Sequence, residues 1–322
     1  MGGGRADAAV RRMNALHGAR VAIFGGTGFV GRRICADLAD AGADVVAIGR
    51  TTPDETFGYR FCRADLGADP AEKLDALLAR ERPDVVVNAT GSIWGLTDAQ
   101  MEDACAVPSR RLVAALERAP RRTRLVHLGS VLEYGPIPRG GRTHPDLPAR
   151  PDTAYGKAKL AATRAVLASV QAGRVDAVIL RLANVVGPGT PDISLLGRVA
   201  GRLADAGEEP AVVALSALLA HRDYVDVRDV AAAVVAALRA PVSGRIADIG
   251  RGEAVSVREL VRLLIEVSRV PARLVETASP GAAEDWIRVD PEPALSLLGW
   301  RPRYSLADAV GALWAQYAPL ST

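Results

Sequence analysis

The fifteen residues RVAIFGGTGFVGRRI, from Arg20 to Ile34, constrain this chain more than any other stretch. Val21, Ala22, Ile23 and Phe24 are an apolar run of the length of a buried strand. Gly25, Gly26, Thr27, Gly28, Phe29, Val30 and Gly31 follow, and then Val30, Ile34 and Leu38 recur at helical spacing. Strand, glycine turn and helix in that order give a glycine pattern meaning. Gly25 lets the chain leave the strand sharply. Gly28 has no Cβ, so a pyrophosphate can approach the backbone, and Gly31 lets the helix pack close to the sheet. The helix start then offers free N–H groups and partial positive charge to the phosphates. Thr27, Phe29 and Val30 lie in the same turn and share the expected contact. The spacing is G-x-x-G-x-x-G rather than the commoner G-x-G-x-x-G. The chain has 31 glycines, and nowhere else do they cluster like this after an apolar strand.

Strand and helix patterns alternate from this point on. Strands are expected over 44–48, near 59–62, and over 84–87, 124–128 and 177–180, with helices over 71–80, 108–117 and 153–170. This alternation argues for an α/β fold, a Rossmann-type doubly wound parallel sheet with helices on both faces. A loop rich in proline, glycine and arginine, Gly135 to Asp152, has the length of a flap over a site. Beyond Arg181 the alternation loosens. A turn-rich loop is expected over 184–191, a helix over 194–206, and strand or loop over 211–220. Then come helix 230–238, strand 245–249, helix 257–267, strand 273–276, and helices 293–298 and 306–317. The expected division is a leader, partly disordered, over 1–18, a dinucleotide-binding domain over 19–182 and 222–249, and a smaller, discontinuous substrate domain over 183–221 and 250–318.

Forty basic residues against 37 acidic ones leave a net charge of +3 without any single-sign block. That excludes the electrostatic footprint of a nucleic-acid partner. Cys35, Cys62 and Cys105 form no disulfide framework, and the four histidines show no metal-ligand spacing, so no metal is expected. No apolar stretch is long enough to span a membrane, and no signal-peptide core opens the chain. These features point to the cytoplasm.

At the end of the second strand of such a sheet, a carboxylate bonds a ribose 2′-OH whereas arginine accommodates a 2′-phosphate. Here the strand ends Ile48-Gly49-Arg50, with no carboxylate before Asp54. Arg50 therefore favours NADP(H) over NAD(H). Asn88, Ala89 and Thr90 close the fourth strand, on the side where open sheets bind ligands, and are expected along the cofactor. Tyr155 and Lys159, at i and i+4, share one helix face. A nearby ammonium is expected to lower the phenol pKa. Ser130 ends the fifth strand and can donate a hydrogen bond to a substrate carbonyl while Tyr155 supplies the proton. His127 is expected in the core, and His144 on a solvated loop. Arg181 is open between a structural ion pair and a ligand contact, and Trp94 between the surface and the pocket wall.

From Arg20 to Tyr304 the chain resembles the extended short-chain dehydrogenase/reductases, in their nucleotide-sugar epimerase/dehydratase branch. The resemblance rests on the glycine run, Asp65-Leu66, Ser130, Tyr134-Gly135, Tyr155-Gly-Lys-Ala-Lys159, the stretch from Arg181 to Pro188, the stretch from Arg222 to Asp229, and Leu298-Gly299-Trp300. It implies Tyr155 as general acid/base, Lys159 as holder of the nicotinamide ribose, and Ser130 as the group that orients the reacting oxygen. Asp65 and Leu66 would border the adenine. Asn184 and Arg222 would contact the phosphates of a nucleotide-sugar substrate, Val131 would border that substrate, and the chain would form a homodimer. Dehydratases of this branch carry an Asp-Glu pair after the Ser/Thr position. Val131 and Leu132 stand there instead, which argues against dehydration. Cys105 stands near a position often held by Asn, and Ser279-Pro280-Gly281-Ala282 replaces a common Arg-Pro-Gly-Asp. The expected activity is NADPH-dependent reduction of a nucleotide-linked keto-sugar, such as a dTDP-4-keto-6-deoxyhexose. A nucleotide-sugar epimerase and a non-catalytic NADP-binding sensor or assembly protein are the alternatives.

Overall fold

The computed structural model describes residues 16–53, 57–207, 209–216, 218–277 and 285–318. In chain order its first half runs β1 (Arg20–Phe24), α1 (Phe29–Asp40), β2 (Asp44–Gly49), β3 (Arg60–Arg63), α2 (Ala71–Glu81), β4 (Val85–Asn88), α3 (Asp98–Arg118) and β5 (Arg124–Ser130). A 3₁₀ turn (Val131–Glu133) follows, then α4 (Ala154–Gln171), β6 (Asp176–Leu182), β7 (Asn184–Val186), α5 (Leu195–Ala204), β8 (Ala211–Ser216) and β9 (His221–Asp226). The remainder is α6 (Val227–Arg239), β10 (Arg245–Ile249), β11 (Ala254–Ser256), α7 (Val257–Ser268), β12 (Ala272–Thr277), α8 (Glu292–Leu298) and α9 (Leu306–Trp314).

Seven strands make one sheet in the order β10-β6-β5-β4-β1-β2-β3, and every neighbouring pair is parallel. After β3 the chain crosses to the other side of β1, so the strand order reverses between β1 and β4. Crevices for ligands open at the carboxyl ends of the strands at such a switch point. The apolar runs divide by strand periodicity. Val21 and Ile23 face α1 and α6, packing with Ile34, Leu38, Val230 and Val234. Ala22 and Phe24 face α2, α3 and α4, packing with Leu74, Leu77, Leu112 and Val166.

A separate core joins α5, α7 and α9 through Leu196, Val199, Leu203, Leu260, Leu264, Val310 and Leu313. Two small sheets edge it. β11-β9-β7 mixes antiparallel and parallel pairs, and β12-β8 is parallel. Ile287, Val289, Ala294 and Trp300 instead pack into the first core, on the α1/α6 face. Of the residues expected as a leader, 1–15 lie outside the described residues. Leu16 is a core residue, 3% exposed.

Several boundaries differ from expectation for physical reasons. α3 begins ten residues before Pro108, where Thr97 and Gln100 form a capping box; the internal proline masks the helix's continuity in sequence. The loop expected over 184–191 contains β7, whose pairing with β9 is not local in sequence. The stretch expected as a flap, 135–152, does not line the cavity at the carboxyl ends of the strands. Thr143 pins it instead, its N–H donating to the Arg288 carbonyl (2.7 Å) and its hydroxyl to Asp248 (2.9 Å). Trp286 donates to the Gly141 carbonyl (2.9 Å) and packs its ring at a tilt against His221; it is half-buried rather than core.

Candidate active site

Helices α3, α4, α5, α6, α7 and α9 each begin on a Ser, Thr or Asp side chain that caps a backbone N–H. α1 begins on Gly28, extended and without any side-chain cap. Its first N–H groups therefore lack that intramolecular acceptor. Gly25 has φ +79°, and a Cβ on it would lie 2.6 Å from the Ala89 carbonyl oxygen. A Cβ on Gly31 would lie 2.0 Å from the Gly25 carbonyl oxygen, so only glycine lets helix and turn meet. Around Gly28 a Cβ would meet only the Gly25 oxygen, at 3.3 Å, which leaves its outward side open. Uncapped N–H groups around an open glycine fit a dinucleotide pyrophosphate.

This helix start forms one wall of a cavity of about 620 Å³. Gly28, Phe29, Val30, Ala89, Thr90, Ser130, Tyr155, Lys159, Asn184 and Arg222 all line it. Elements far apart in sequence thus converge, as the sheet topology requires. Trp94, 46% exposed, and Leu132 also line it.

Other expected contacts lie elsewhere. Thr27 packs its hydroxyl against the end of β2, 2.7 Å from where a Cβ on Gly49 would stand. Arg50 follows immediately and is exposed; its carbonyl accepts from Arg63 Nε (3.1 Å). Asp65 is half-buried and accepts from the Gly67 N–H (2.8 Å). Three expectations need correction. Leu66 buries its side chain in the core with Phe24 and Ile48. Asn88, 1% exposed, spends its amide on Ser109 (3.0 Å) and His127 Nδ1 (3.1 Å), and its carbonyl oxygen on the Thr90 hydroxyl (2.6 Å). It shapes the Thr90 turn rather than facing the cavity. Val131 is 1% exposed in the core, because the 3₁₀ turn after Ser130 directs Leu132 into the cavity instead. Ser279–Ala282 lies outside the described residues.

Ser130 Oγ accepts the Leu132 N–H (3.2 Å), which leaves the hydroxyl hydrogen to donate. Lys159 is 4% exposed and donates to the Leu128 carbonyl (2.6 Å) and more weakly to Thr90 O (3.5 Å). Burial pushes its pKa down, and Cys105 and Glu133 oppose that. The half-buried Tyr155 behaves opposite to expectation. Burial pushes its phenol above the usual 10, and Cys105 and Glu133 push the same way. The ammonium donates to the strand-end carbonyls, and burial keeps the proton on the phenol.

His127 is fully buried, its imidazole held neutral by burial and by Lys159. Arg181 makes a buried ion pair with Glu133 (2.9 Å) and stacks over Tyr134 at 4.4 Å. The Tyr134 hydroxyl donates to both Asp248 oxygens (2.8 and 3.0 Å). Glu133 was not legible as a site residue. Its one local sign is its place three residues after Ser130, the spacing of a capping box. Arg222 donates to the His221 carbonyl (3.1 Å) and pairs with Asp285. Among the described residues no helix is long and apolar enough to cross a membrane.

The family described as NAD dependent epimerase/dehydratase matches residues 21–250. The chain is 46% identical over 302 residues to dTDP-6-deoxy-L-talose 4-dehydrogenase (NAD(P)(+)) of Kitasatospora kifunensis, covering 92% of this chain and 95% of that protein. Among solved structures, RMD from Pseudomonas aeruginosa complexed with NADPH matches with a TM-score of 0.79 at 21% identity, over 93% of this chain and 99% of that one. UDP-glucose 4-epimerase of Thermus thermophilus, in complex with NAD, matches with a TM-score of 0.81 at 22% identity, over 92% and 98%. Both share the fold.

Proposed function

Because the chain belongs to the NAD-dependent epimerase/dehydratase family, an extended short-chain dehydrogenase/reductase group of NAD(P)-dependent nucleotide-sugar enzymes, we propose that it reduces a dTDP-4-keto-6-deoxyhexose at C4. The reaction named for the Kitasatospora relative, 4-dehydrogenation of a 6-deoxytalose nucleotide, is the reverse of such a reduction. The observation that carries the reading is the cavity wall beside Ser130. Leu132 lines it where a dehydratase would place a carboxylate, so no residue there can abstract a proton and expel water.

Bound nicotinamide supplies the hydride. The chain's own groups manage the oxygen. Ser130 donates a hydrogen bond to the carbonyl, and Tyr155 gives its proton as the alkoxide develops. Lys159 has three donors and spends its bonds on the Leu128 and Thr90 carbonyls; it would hold the nicotinamide ribose. Asn184 and Arg222, across the cavity, would take the diphosphate. Residues 183–221 and 250–318 would supply most of the substrate half, and the protein would act as a cytoplasmic homodimer.

The test follows nicotinamide absorbance with each cofactor and a panel of nucleotide-linked 4-keto and 4-hydroxy sugars. Stoichiometric loss of NADPH with a dTDP-4-keto-6-deoxyhexose is expected. Isomerised sugar with no net cofactor change would make the protein an epimerase, and cofactor binding without turnover of any sugar would leave a non-catalytic role.

Arg50 would read the 2′-phosphate. It is exposed, so the charge-assisted contact is partly screened and worth about 1.5 kcal/mol. Arg50→Ala is expected to weaken NADPH binding about tenfold and NADH binding less than twofold. Equal losses in paired fluorescence titrations would remove Arg50 from cofactor choice.

A further inference from the structure

We infer that Glu133 is a positioning residue for the reacting centre, its buried carboxylate tying Ser130 at the end of β5 to Thr163 on α4, one turn beyond Lys159. The inference rests on the reading of Ser130, Tyr155 and Lys159 given above. Glu133 is 0% exposed. One carboxylate oxygen accepts both the Ser130 backbone N–H (2.9 Å) and the Thr163 hydroxyl (3.0 Å). The other accepts Arg181 Nε (2.9 Å). The strand and the helix that carry the reacting groups therefore share one acceptor atom. Gly129 shows how close the fit is, since a Cβ there would lie 2.5 Å from that same oxygen.

Stability alone does not call for this arrangement. A buried ion pair replaced by apolar side chains of similar volume is often neutral or stabilising. Arg181 even leaves Nη1 buried without a hydrogen-bond partner. What the pair does provide is geometry. The bonds hold Ser130 at both ends, through its N–H to Glu133 and through Oγ to the Leu132 N–H. They also fix the helical register that presents Tyr155 and Lys159 to the same cavity. A misplacement of about 1 Å at a reacting centre costs on the order of 10²-fold in rate.

Variants of the full-length protein test the idea. Glu133→Leu combined with Arg181→Leu removes the tie and both members of the ion pair, and Asp248 keeps its donors Tyr134 and Thr143. Glu133→Gln in the Arg181→Leu background keeps an oxygen for Ser130 and Thr163 and sets no amide donor against Arg181. The double leucine variant is expected to fold and to keep NADPH affinity and substrate KM within about threefold of wild type. Its kcat should fall between about 10- and 100-fold. Glu133→Gln in the Arg181→Leu background should recover most of that loss. A folded double leucine variant with kcat within twofold of wild type would overturn the inference, as would a kcat loss matched by an equal rise in KM. If the double leucine variant does not fold, Glu133→Gln in the Arg181→Leu background decides together with Thr163→Val. A kcat loss of at least threefold in the latter, at unchanged KM, supports the tie, and an unchanged kcat refutes it. Tyr155→Phe, run in parallel, separates the premises. Full activity there would sink the reading of the centre itself, whatever Glu133 does.

Discussion

Tyr155→Phe is expected to lower kcat for keto-sugar reduction by a factor on the order of 10²–10⁴ while NADPH affinity stays within about threefold. The ring is retained, and with it the packing against Cys105, Ala106 and Ala158, so the fold and the cofactor wall persist. Only the acidic O–H is lost. A thousandfold loss corresponds to about 4 kcal/mol of transition-state stabilisation. Ser130 cannot replace the phenol, because an aliphatic hydroxyl is a far weaker acid. Single-turnover absorbance and a fluorescence titration of NADPH check both halves, and an unchanged rate would remove Tyr155 from the mechanism.

The phenol's environment adds a pH dependence with a definite sign. Burial raises its pKa above 10, and Cys105 and Glu133 add to the rise. The protonated form therefore dominates at every pH below that value. Reduction needs that form, so its kcat should stay flat from about pH 6 to 9. Dehydrogenation of the 4-hydroxy sugar needs the phenolate and should speed up as pH rises over the same range. A reduction rate that falls between pH 6 and 9 would contradict the raised value. The direction follows from the burial of the phenol, which the i,i+4 spacing alone cannot reveal.

What was legible in the sequence was local or periodic. The β1–turn–α1 unit is contiguous, and each of its glycines answers a contact within the unit or with the neighbouring strand. Tyr155 and Lys159 share a helix, and Ser130 ends a strand whose place in an α/β sheet is set by topology. Those three line one cavity. Most of the misses, and the choice left open at Arg181, lie where the deciding partner is distant in the chain. Arg181 could not be assigned without Glu133, 48 residues away. Asn88 ends a strand like its neighbours, yet Ser109 and His127 draw its side chain inward. Val131 and Leu132 exchange places because a 3₁₀ turn, not a continued strand, follows Ser130. β9 escaped notice because HRDYVD places its charges along a strand that pairs with β7 and β11, and Asp223 sits inside it fully buried.

That aspartate carries the second large expectation. Asp223 accepts the N–H groups of Arg251 (2.8 Å), Gly252 (2.8 Å) and Val289 (3.1 Å). It closes the turn that leaves β10 onto the segment that packs back against the first core. The closure leaves no spare room, since a Cβ on Gly250 would lie 2.6 Å from Val289 and 3.1 Å from the Asp223 carboxyl carbon. Asp223→Ala leaves three N–H groups without their acceptor. Each orphan costs about 1–3 kcal/mol, and relief of the buried charge offsets part of the sum. A net loss of about 3 kcal/mol is expected, roughly 4–5 °C in Tm for a chain of this size. The sign of its pH dependence follows from burial, which raises the Asp223 pKa from 3.8 to about 6 against the pull of the three N–H groups. The wild-type contribution is then full below about pH 3.8 and declines as pH rises through about 6. The gap between wild type and variant should therefore narrow from pH 4 to pH 7. Asp223→Asn keeps one acceptor oxygen and should fall between the two. Because β9 also carries Arg222, the alanine variant should raise substrate KM more than NADPH Kd. A Tm within about 2 °C of wild type at both pH values would show that the three N–H groups find other partners and that this carboxylate does not hold the two halves together.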